Sequence, residues 1–180
     1  MRVFFSIVIL VFVMDVSYAS KINYEHKQLK KQILKEWNIG LSALTEMENI
    51  SNQTINEGKI YRAESNGIFL GYVYVGRIIS CREGGCAKDK SVLVSENYEY
   101  FDAFFIYNTS KTIELVKVFN YRATHGHEVC SRGWLKQFIG FNSDELLEVG
   151  KTIDGLSGAT ISANALTDEV NYITQLLNRN

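Results

Sequence analysis

The sequence predicts an α+β fold, with a single antiparallel sheet, one helix before it and one helix after it. Three observations lead to this prediction. Apolar residues recur at helical spacing near both ends of the chain. Segments rich in Tyr, Phe, Val and Ile lie between them, separated by turn-forming residues. The order helix, strands, helices is typical of the α+β class, and a length of 180 residues is typical of one domain.

The N-terminal helix is predicted over residues 24–37. Leu29, Ile33 and Trp37 recur at i, i+4 and i+8, with lysines on the opposite side. Asn23 is a candidate N-cap, and Gly40 is a candidate end of the helix. This pattern is typical of an amphipathic helix that covers a sheet.

Strand signals follow a mixed segment, residues 41–57, in which no element is predicted. Asn66-Gly67 marks the first hairpin, because Asn-Gly tolerates positive φ at both turn positions. The predicted strands are residues 59–64, 68–79, 92–94, 98–107 and 112–119.

The last third of the chain is predicted to be a polar loop followed by helices. The loop covers residues 120–132, and a short helix is predicted over residues 134–139. A turn over residues 142–149 comes next. The last helix is predicted over residues 162–177, with one apolar face. That face consists of Leu166, Val170, Ile173 and Leu177.

Residues 1–19 are predicted to be a signal peptide. Arg2 precedes an apolar run of about a dozen residues, and Ser17 and Ala19 place small side chains at a cleavage site. The alternative is an uncleaved membrane anchor, for which the run is short. We therefore expect export after cleavage near Ala19, with residues 20–180 as one domain.

The charge balance argues against nucleic acid as a partner. The chain has 19 Lys+Arg and 20 Asp+Glu, a formal net charge of −1, and no basic stripe. Hydrophobic residues make up 46% of the sequence, which is enough for a packed core. The chemistry must therefore be sought in particular motifs.

The chain has three cysteines, Cys81, Cys86 and Cys130. Export favours a disulfide, and the odd number leaves one thiol over or suggests a metal site. Cys81 and Cys86 can close a short loop, but Cys130 can replace either of them. His125, His127 and Cys130 are ligand types that zinc accepts. Their spacing matches no zinc motif, and no metal is predicted.

The segment from Asp154 to Thr160 has the features of a phosphate site. Its two glycines allow close backbone approach, and Ser157 and Thr160 carry hydroxyls. The helix predicted after it would present free N–H groups and the positive end of a dipole, which bind phosphate. The alternative is an ordinary glycine turn in which Thr160 or Ser162 caps the helix.

This segment resembles the flavinylation motif of the FMN-binding domain family. That family includes the C subunit of the sodium-pumping NADH:quinone reductase and the G subunit of the Rnf electron-transport complex. Its motif is Asp-x-x-Ser/Thr-Gly-Ala-Thr. Every fixed position is present here, as Asp154, Ser157, Gly158, Ala159 and Thr160. The resemblance implies that Thr160 receives FMN from FAD, in a phosphoester bond made by a dedicated magnesium-dependent flavin transferase.

The resemblance extends more weakly over residues 61–177. Gly71-Tyr72-Val73 looks like a strand segment of the family. Ala123-Thr124-His125-Gly126 takes the place of a Glu-Thr-Pro-Gly-like loop, without its glutamate and proline. The resemblance implies that Thr124 and Gly126 lie beside the isoalloxazine ring and that Asp154 helps the transferase recognise the site. Tyr121 or Trp134 could pack on the ring or belong to the core.

The function implied by the resemblance is that of an electron-transfer flavoprotein, more than a stand-alone enzyme, and the predicted signal peptide implies that it is exported. Ser157 and Gly158 are expected to line the phosphate on Thr160. The expected partners are the flavin transferase and a redox donor and acceptor, for which membrane-bound proteins are one option. Two alternatives stay open. One is a flavin-dependent reductase of a small acceptor, with His125 or His127 delivering protons. The other is a non-redox module that binds an anion.

Overall fold

The fold is described from a computed structural model, which defines residues 21–47, 57–82 and 98–179. At Cys81 and Arg82 only the backbone is described. Within these residues each strand pairs antiparallel with the next strand along the chain, in the order β1-β2-β3-β4-β5. The α+β fold with one antiparallel sheet, an N-terminal helix and a C-terminal helix is confirmed. The elements are α1 (Lys27–Trp37), β1 (Leu44–Glu46), β2 (Gly58–Ser65), β3 (Ile68–Arg82), β4 (Tyr98–Tyr107), β5 (Ile113–Tyr121), α2 (Arg132–Leu135) and α3 (Thr160–Asn178).

Helix α1 is shorter than predicted at its start. Asn23 opens a turn before the helix, in which the His26 N–H donates to the Asn23 carbonyl over 3.3 Å. His26 is the N-cap, and its Nδ1 accepts from the Gln28 N–H. The helix ends at Trp37, and its C-cap Asn38 adopts the left-handed conformation with φ 54. The predicted caps, Asn23 and Gly40, are therefore wrong, because residues nearer to the helix supply both ends.

Most strand predictions are confirmed. Asn66 and Gly67 have φ of 52 and 76, as the predicted hairpin turn requires. Strand β3 continues three residues beyond its predicted end, and β5 continues to Tyr121. Strand β1 lies within the segment for which no element was predicted, since three residues are too few to show a period. The predicted signal peptide, the predicted strand 92–94 and Cys86 lie outside the described residues.

The sheet carries a helix on each face. Side chains alternate along the central strands, so that Val73 and Val75 pack on the α1 side and Tyr74 packs on the α3 side. In β4, Phe104 faces α1 while Phe105 faces α3. Both faces are therefore buried, and the core has two parts. In the described part of the chain, no helix is long and apolar enough to cross a membrane.

Two tyrosines fix α3 to the sheet by hydrogen bonds as well as by packing. The buried Tyr74 hydroxyl donates to Glu169 Oε1 over 2.5 Å, and burial together with this carboxylate raises the pKa of Tyr74. The ring reaches α3 by lying across Gly76, where a Cβ would stand 1.9 Å from the Tyr74 Oη. Tyr107 bonds Thr174 over 3.1 Å. These bonds hold the middle and the C-terminal half of α3 against the sheet.

A buried ion pair lies on the opposite, α1 side of the sheet. Asp102 is fully buried in β4, and its Oδ1 accepts from Arg77 Nε over 2.9 Å. Its Oδ2 accepts from Asn120 Nδ2 over 2.6 Å. The Arg77 guanidinium also lies 3.8 Å from the centre of the Tyr100 ring. This network joins β3, β4 and the end of β5 at one end of the sheet.

Candidate functional site

The segment that resembles a flavinylation motif ends in the first residue of α3. A β-turn leads into the helix, with the Ala159 N–H donating to the Leu156 carbonyl over 3.1 Å and Gly158 at φ 78. The N-cap is Ala159, and no side chain caps the helix. Thr160 is the first helical residue and is exposed. The start of α3 therefore offers a hydroxyl next to N–H groups that carry the positive end of the helix dipole.

The alternative in which Thr160 or Ser162 caps the helix is wrong. Helix α3 begins two residues earlier than predicted, so both residues lie inside it. The Ser162 side chain is buried and pairs with Tyr121, at an Oγ to Oη distance of 3.1 Å. Sequence periodicity missed the first two residues of α3, because Thr160 and Ile161 face solvent and add nothing to the apolar face.

The motif residues differ in exposure. Ser157, Gly158 and Asp154 are exposed, like Thr160, whereas Ala159 is 2% exposed and packs into the core. Ala159 therefore holds the backbone of the motif against the core, while the polar residues of the motif stay accessible to solvent.

The backbone of Asp154 is held by two side chains that follow the polar loop. Trp134 Nε1 donates to the Asp154 carbonyl over 2.7 Å, and the Asp154 N–H donates to Gln137 Oε1 over 2.9 Å. Trp134 is 4% exposed and packs edge-on against Phe138. Trp134 thus belongs to the core, which is one of the two positions that the sequence left open for it. It also supports the main chain at Asp154. The main chain of Asp154 is therefore fixed by these two hydrogen bonds, while the residue stays exposed to solvent.

The second predicted segment, Thr124 to Gly126, reaches the same end of α3. Gly126 is buried with φ 89, and a Cβ there would stand 2.7 Å from Ser162 Oγ and 3.0 Å from Tyr121 Oη. The polar loop therefore touches the first turn of α3 at a point where only glycine fits without displacement. Gly126 and the start of α3 were predicted from separate motifs, and the fold brings them together.

Thr124 is exposed and is held by a residue that the sequence did not single out. Its N–H donates to Glu99 Oε1 over 3.0 Å. The hydrogen bonds from Thr124 lower the pKa of the Glu99 carboxyl, which is partly exposed. Glu99 lies two residues before Phe101, which pairs with Tyr121 in the register of β4 and β5. Because strand side chains alternate, Glu99 and Phe101 point to the same face of the sheet. This alternation is the sequence feature from which Glu99 could have been placed beside the site.

Tyr121 lies between the two segments. Its Oη donates to the His125 carbonyl over 2.5 Å, and its ring stacks on Phe101 with centroids 5.5 Å apart and planes at 14°. His127 packs edge-on against the same ring at 5.2 Å. Burial raises the pKa of the Tyr121 hydroxyl, which therefore stays protonated at neutral pH.

The histidines and cysteines do not assemble into a metal site in the described structure. Among residues 21–47, 57–82 and 98–179, no group of three His, Cys, Asp or Glu side chains could hold a metal ion. Cys130 is a free, half-buried thiol, and burial raises its pKa to about 11. A disulfide between Cys81 and Cys86 stays a prediction, because Cys86 and the Cys81 side chain lie outside the described part of the chain.

No protein-family model matches the chain, and no curated protein matches it either. The interpretation of the site therefore depends on the motif residues and their geometry alone.

Proposed function

We propose that this protein is an exported flavoprotein that carries FMN through a phosphoester to Thr160 and transfers electrons. One observation carries the proposal. The polar residues of the five-position motif lie exposed at the start of a helix that no side chain caps, and Thr160 begins that helix. A helix start favours a phosphate, both through its free N–H groups and through its dipole.

The residues at this end of α3 suit a phosphate ester. The Thr160 hydroxyl is the acceptor, and the exposed Ser157 hydroxyl and Gly158 lie on the turn that precedes it. Gly158 has φ 78, which a residue with a Cβ adopts at a cost of about 1–2 kcal/mol. The nearest carboxylate along the chain, Asp154, is six positions before Thr160, so the motif puts no acid directly beside the ester.

Attachment exchanges one phosphate bond for another. FAD supplies FMN, the pyrophosphate bond of FAD breaks, the Thr160 oxygen takes the FMN phosphorus, and AMP leaves with the proton. The transferase that catalyses this exchange is the first proposed partner. When attached, FMN supplies electron transfer, and the protein sets its exposure and its surroundings. Thr124 and Gly126 are the residues that we propose to lie beside its ring.

Export gives a reason for a covalent link. A cofactor that dissociates outside the cytoplasm is lost by dilution, whereas an ester to Thr160 is retained. The electron donor and acceptor are the remaining partners, and a membrane-bound redox chain suits an exported carrier.

The decisive experiment is the intact mass of protein made with an active flavin transferase. We expect a gain equal to FMN less one water, and yellow fluorescence that survives denaturing electrophoresis. Thr160→Ala should remove both. Thr109→Ala is the matched control, since Thr109 is an exposed threonine in the turn between β4 and β5 and should leave the adduct intact. A wild-type chain that gains no such mass refutes the proposal.

A reductase is the second candidate, and one contact favours it. His127 packs on Tyr121, beside the loop that contains Thr124 and Gly126, so an imidazole is available at the proposed ring side. Saturable, selective turnover of a small acceptor by the reduced protein, weakened in His127→Gln, would support an enzyme. Rates that increase linearly with any acceptor would support a carrier. Reversible binding that phosphate competes for, with no adduct, would instead indicate an anion-binding module.

A further inference from the structure

Tyr121 connects the two parts of the candidate site with a single hydroxyl. It is the last residue of β5, and its Oη contacts both the His125 carbonyl, at 2.5 Å, and Ser162 Oγ, at 3.1 Å. His125 lies between Thr124 and Gly126 in the polar loop. Ser162 is in the first turn of α3. The contact therefore spans two segments that are 37 positions apart in the sequence, from residue 125 to residue 162.

The direction of the two hydrogen bonds follows from proton counting. The tyrosine hydroxyl has one proton, and a carbonyl can only accept, so Tyr121 donates to His125. The Ser162 hydroxyl must then donate to Tyr121 Oη. Both donors are satisfied by one arrangement, and neither hydroxyl can rotate without breaking a bond.

The surroundings of Tyr121 leave its ring little freedom. Phe101, which is fully buried, stacks on it, and His127 packs on its edge. Gly126 approaches so closely that an added Cβ would stand 3.0 Å from the hydroxyl. The loop and the helix start are thus held at one separation by a side chain that is itself fixed by the core.

We propose that Tyr121 is the positioning residue that fixes the Thr124–Gly126 loop against the start of α3, and so fixes the orientation of a flavin ring whose phosphate is on Thr160. The part that concerns the flavin rests on the proposed function. A ring anchored only at its phosphate turns freely about the ribityl chain. A loop held at a constant separation from Thr160 limits that rotation.

The test compares Tyr121→Phe with the wild-type protein after flavin attachment. The variant keeps the aromatic ring and loses both hydrogen bonds. We expect the same mass gain as in the wild type, a visible circular dichroism of the flavin reduced by at least about half, and a lower fluorescence anisotropy. Amide hydrogen exchange of residues 123–127 should rise roughly tenfold, as expected for the loss of two hydrogen bonds.

The matched control is Tyr107→Phe. This variant loses the bond to Thr174 in the core, away from the loop, and should leave the visible circular dichroism unchanged. Ser162→Ala removes one of the two Tyr121 bonds and should give an intermediate result. An unchanged flavin signal in Tyr121→Phe overturns the positioning of the ring.

The two proposals fail in different ways. If the wild-type chain gains no FMN, the proposed function is refuted and the claim about the ring falls with it. Hydrogen exchange in the unmodified protein then decides the structural part. Exchange of residues 123–127 that is equally slow in Tyr121→Phe and in wild type refutes the role of Tyr121 in holding the loop.

Discussion

Replacing Gly126 with alanine should destabilise the protein through two separable effects. The residue has φ 89, in the left-handed region where a Cβ costs about 1–2 kcal/mol. The new methyl group would also stand 2.7 Å from Ser162 Oγ and 3.0 Å from Tyr121 Oη, both well inside contact distance. Crowding of this kind in a packed site costs about 1–3 kcal/mol. We therefore expect a total loss of about 2–5 kcal/mol in the free energy of unfolding.

The neighbouring side chains cannot relieve this crowding without a further loss. Ser162 could rotate its hydroxyl away, but the rotation breaks its bond to Tyr121. The Tyr121 ring is stacked on Phe101 and cannot withdraw without disturbing the core. The substitution should therefore also separate the loop from the start of α3, with faster amide exchange in residues 123–127.

Gly67→Ala is the matched control for the backbone effect alone. Gly67 has φ 76, and an added Cβ there would meet nothing within 4 Å. Its loss in urea denaturation should be about 1–2 kcal/mol. The difference between the two variants measures the crowding at Gly126. If Gly126→Ala costs no more than Gly67→Ala, the close contact between loop and helix is refuted.

A double-mutant cycle identifies the atom responsible. Ser162→Ala removes the oxygen that would stand 2.7 Å from the new methyl group, and it leaves the Cβ of residue 162 at 3.3 Å. The double variant should therefore recover part of the crowding energy, with an interaction of about 0.5–3 kcal/mol. If the stability losses of the two single variants simply add in the double variant, the crowding at Gly126 does not involve Ser162 Oγ.

Two further predictions concern residues that support the site. Because hydrogen bonds from Thr124 lower the pKa of Glu99, the ionised carboxylate favours the folded loop above the usual value of 4.5. This contribution is lost as the pH falls through the lowered pKa. The Thr124 amide proton should then shift in NMR spectra below pH 4.5, and Glu99→Gln should show no such titration. Asp102→Ala should cost about 3–5 kcal/mol in denaturant unfolding, because it leaves the Arg77 guanidinium without its buried partner. Adding Arg77→Met should restore part of this loss, and an Asp102→Ala variant as stable as wild type would contradict the ion pair's role.

The sequence predicted the elements whose periodic pattern is carried by buried residues. Strand β4 was predicted with its observed bounds, since most of its residues are aromatic. Helix α3 was predicted over residues 162–177 from its apolar face, and its exposed first two residues, Thr160 and Ile161, were missed. Strand β1 was missed because its pairing with β2, and not its three residues, defines it as a strand. Local patterns reveal burial, whereas strand pairing and exposed helix ends depend on tertiary contacts.

The candidate site was predictable to the same limited degree. The motif from Asp154 to Thr160 is contiguous and can be identified in the sequence. The residues that support the candidate site belong to other segments. Gln137 and Glu99 accept from the main-chain N–H groups of Asp154 and Thr124, and Tyr121 bonds the His125 carbonyl and Ser162 Oγ. No spacing rule joins such residues, because the contacts exist only after the sheet has formed.

Thr160, which would accept FMN, is exposed, whereas the residues that hold the main chain around it are buried or half-buried. Under the proposed function this difference has a chemical reason. A separate enzyme must reach the Thr160 hydroxyl, so this residue has to lie on the surface, where side chains are usually mobile. Electron transfer needs the opposite, a cofactor held in one orientation. The structure meets both needs by exposing Thr160 while Ala159, Trp134 and Tyr121 hold the backbone around it from the core side. Variants of Trp134 and Tyr121, which lie outside the motif, should therefore leave FMN attachment intact and change the orientation of the flavin, whereas Thr160→Ala should abolish attachment and leave the fold intact.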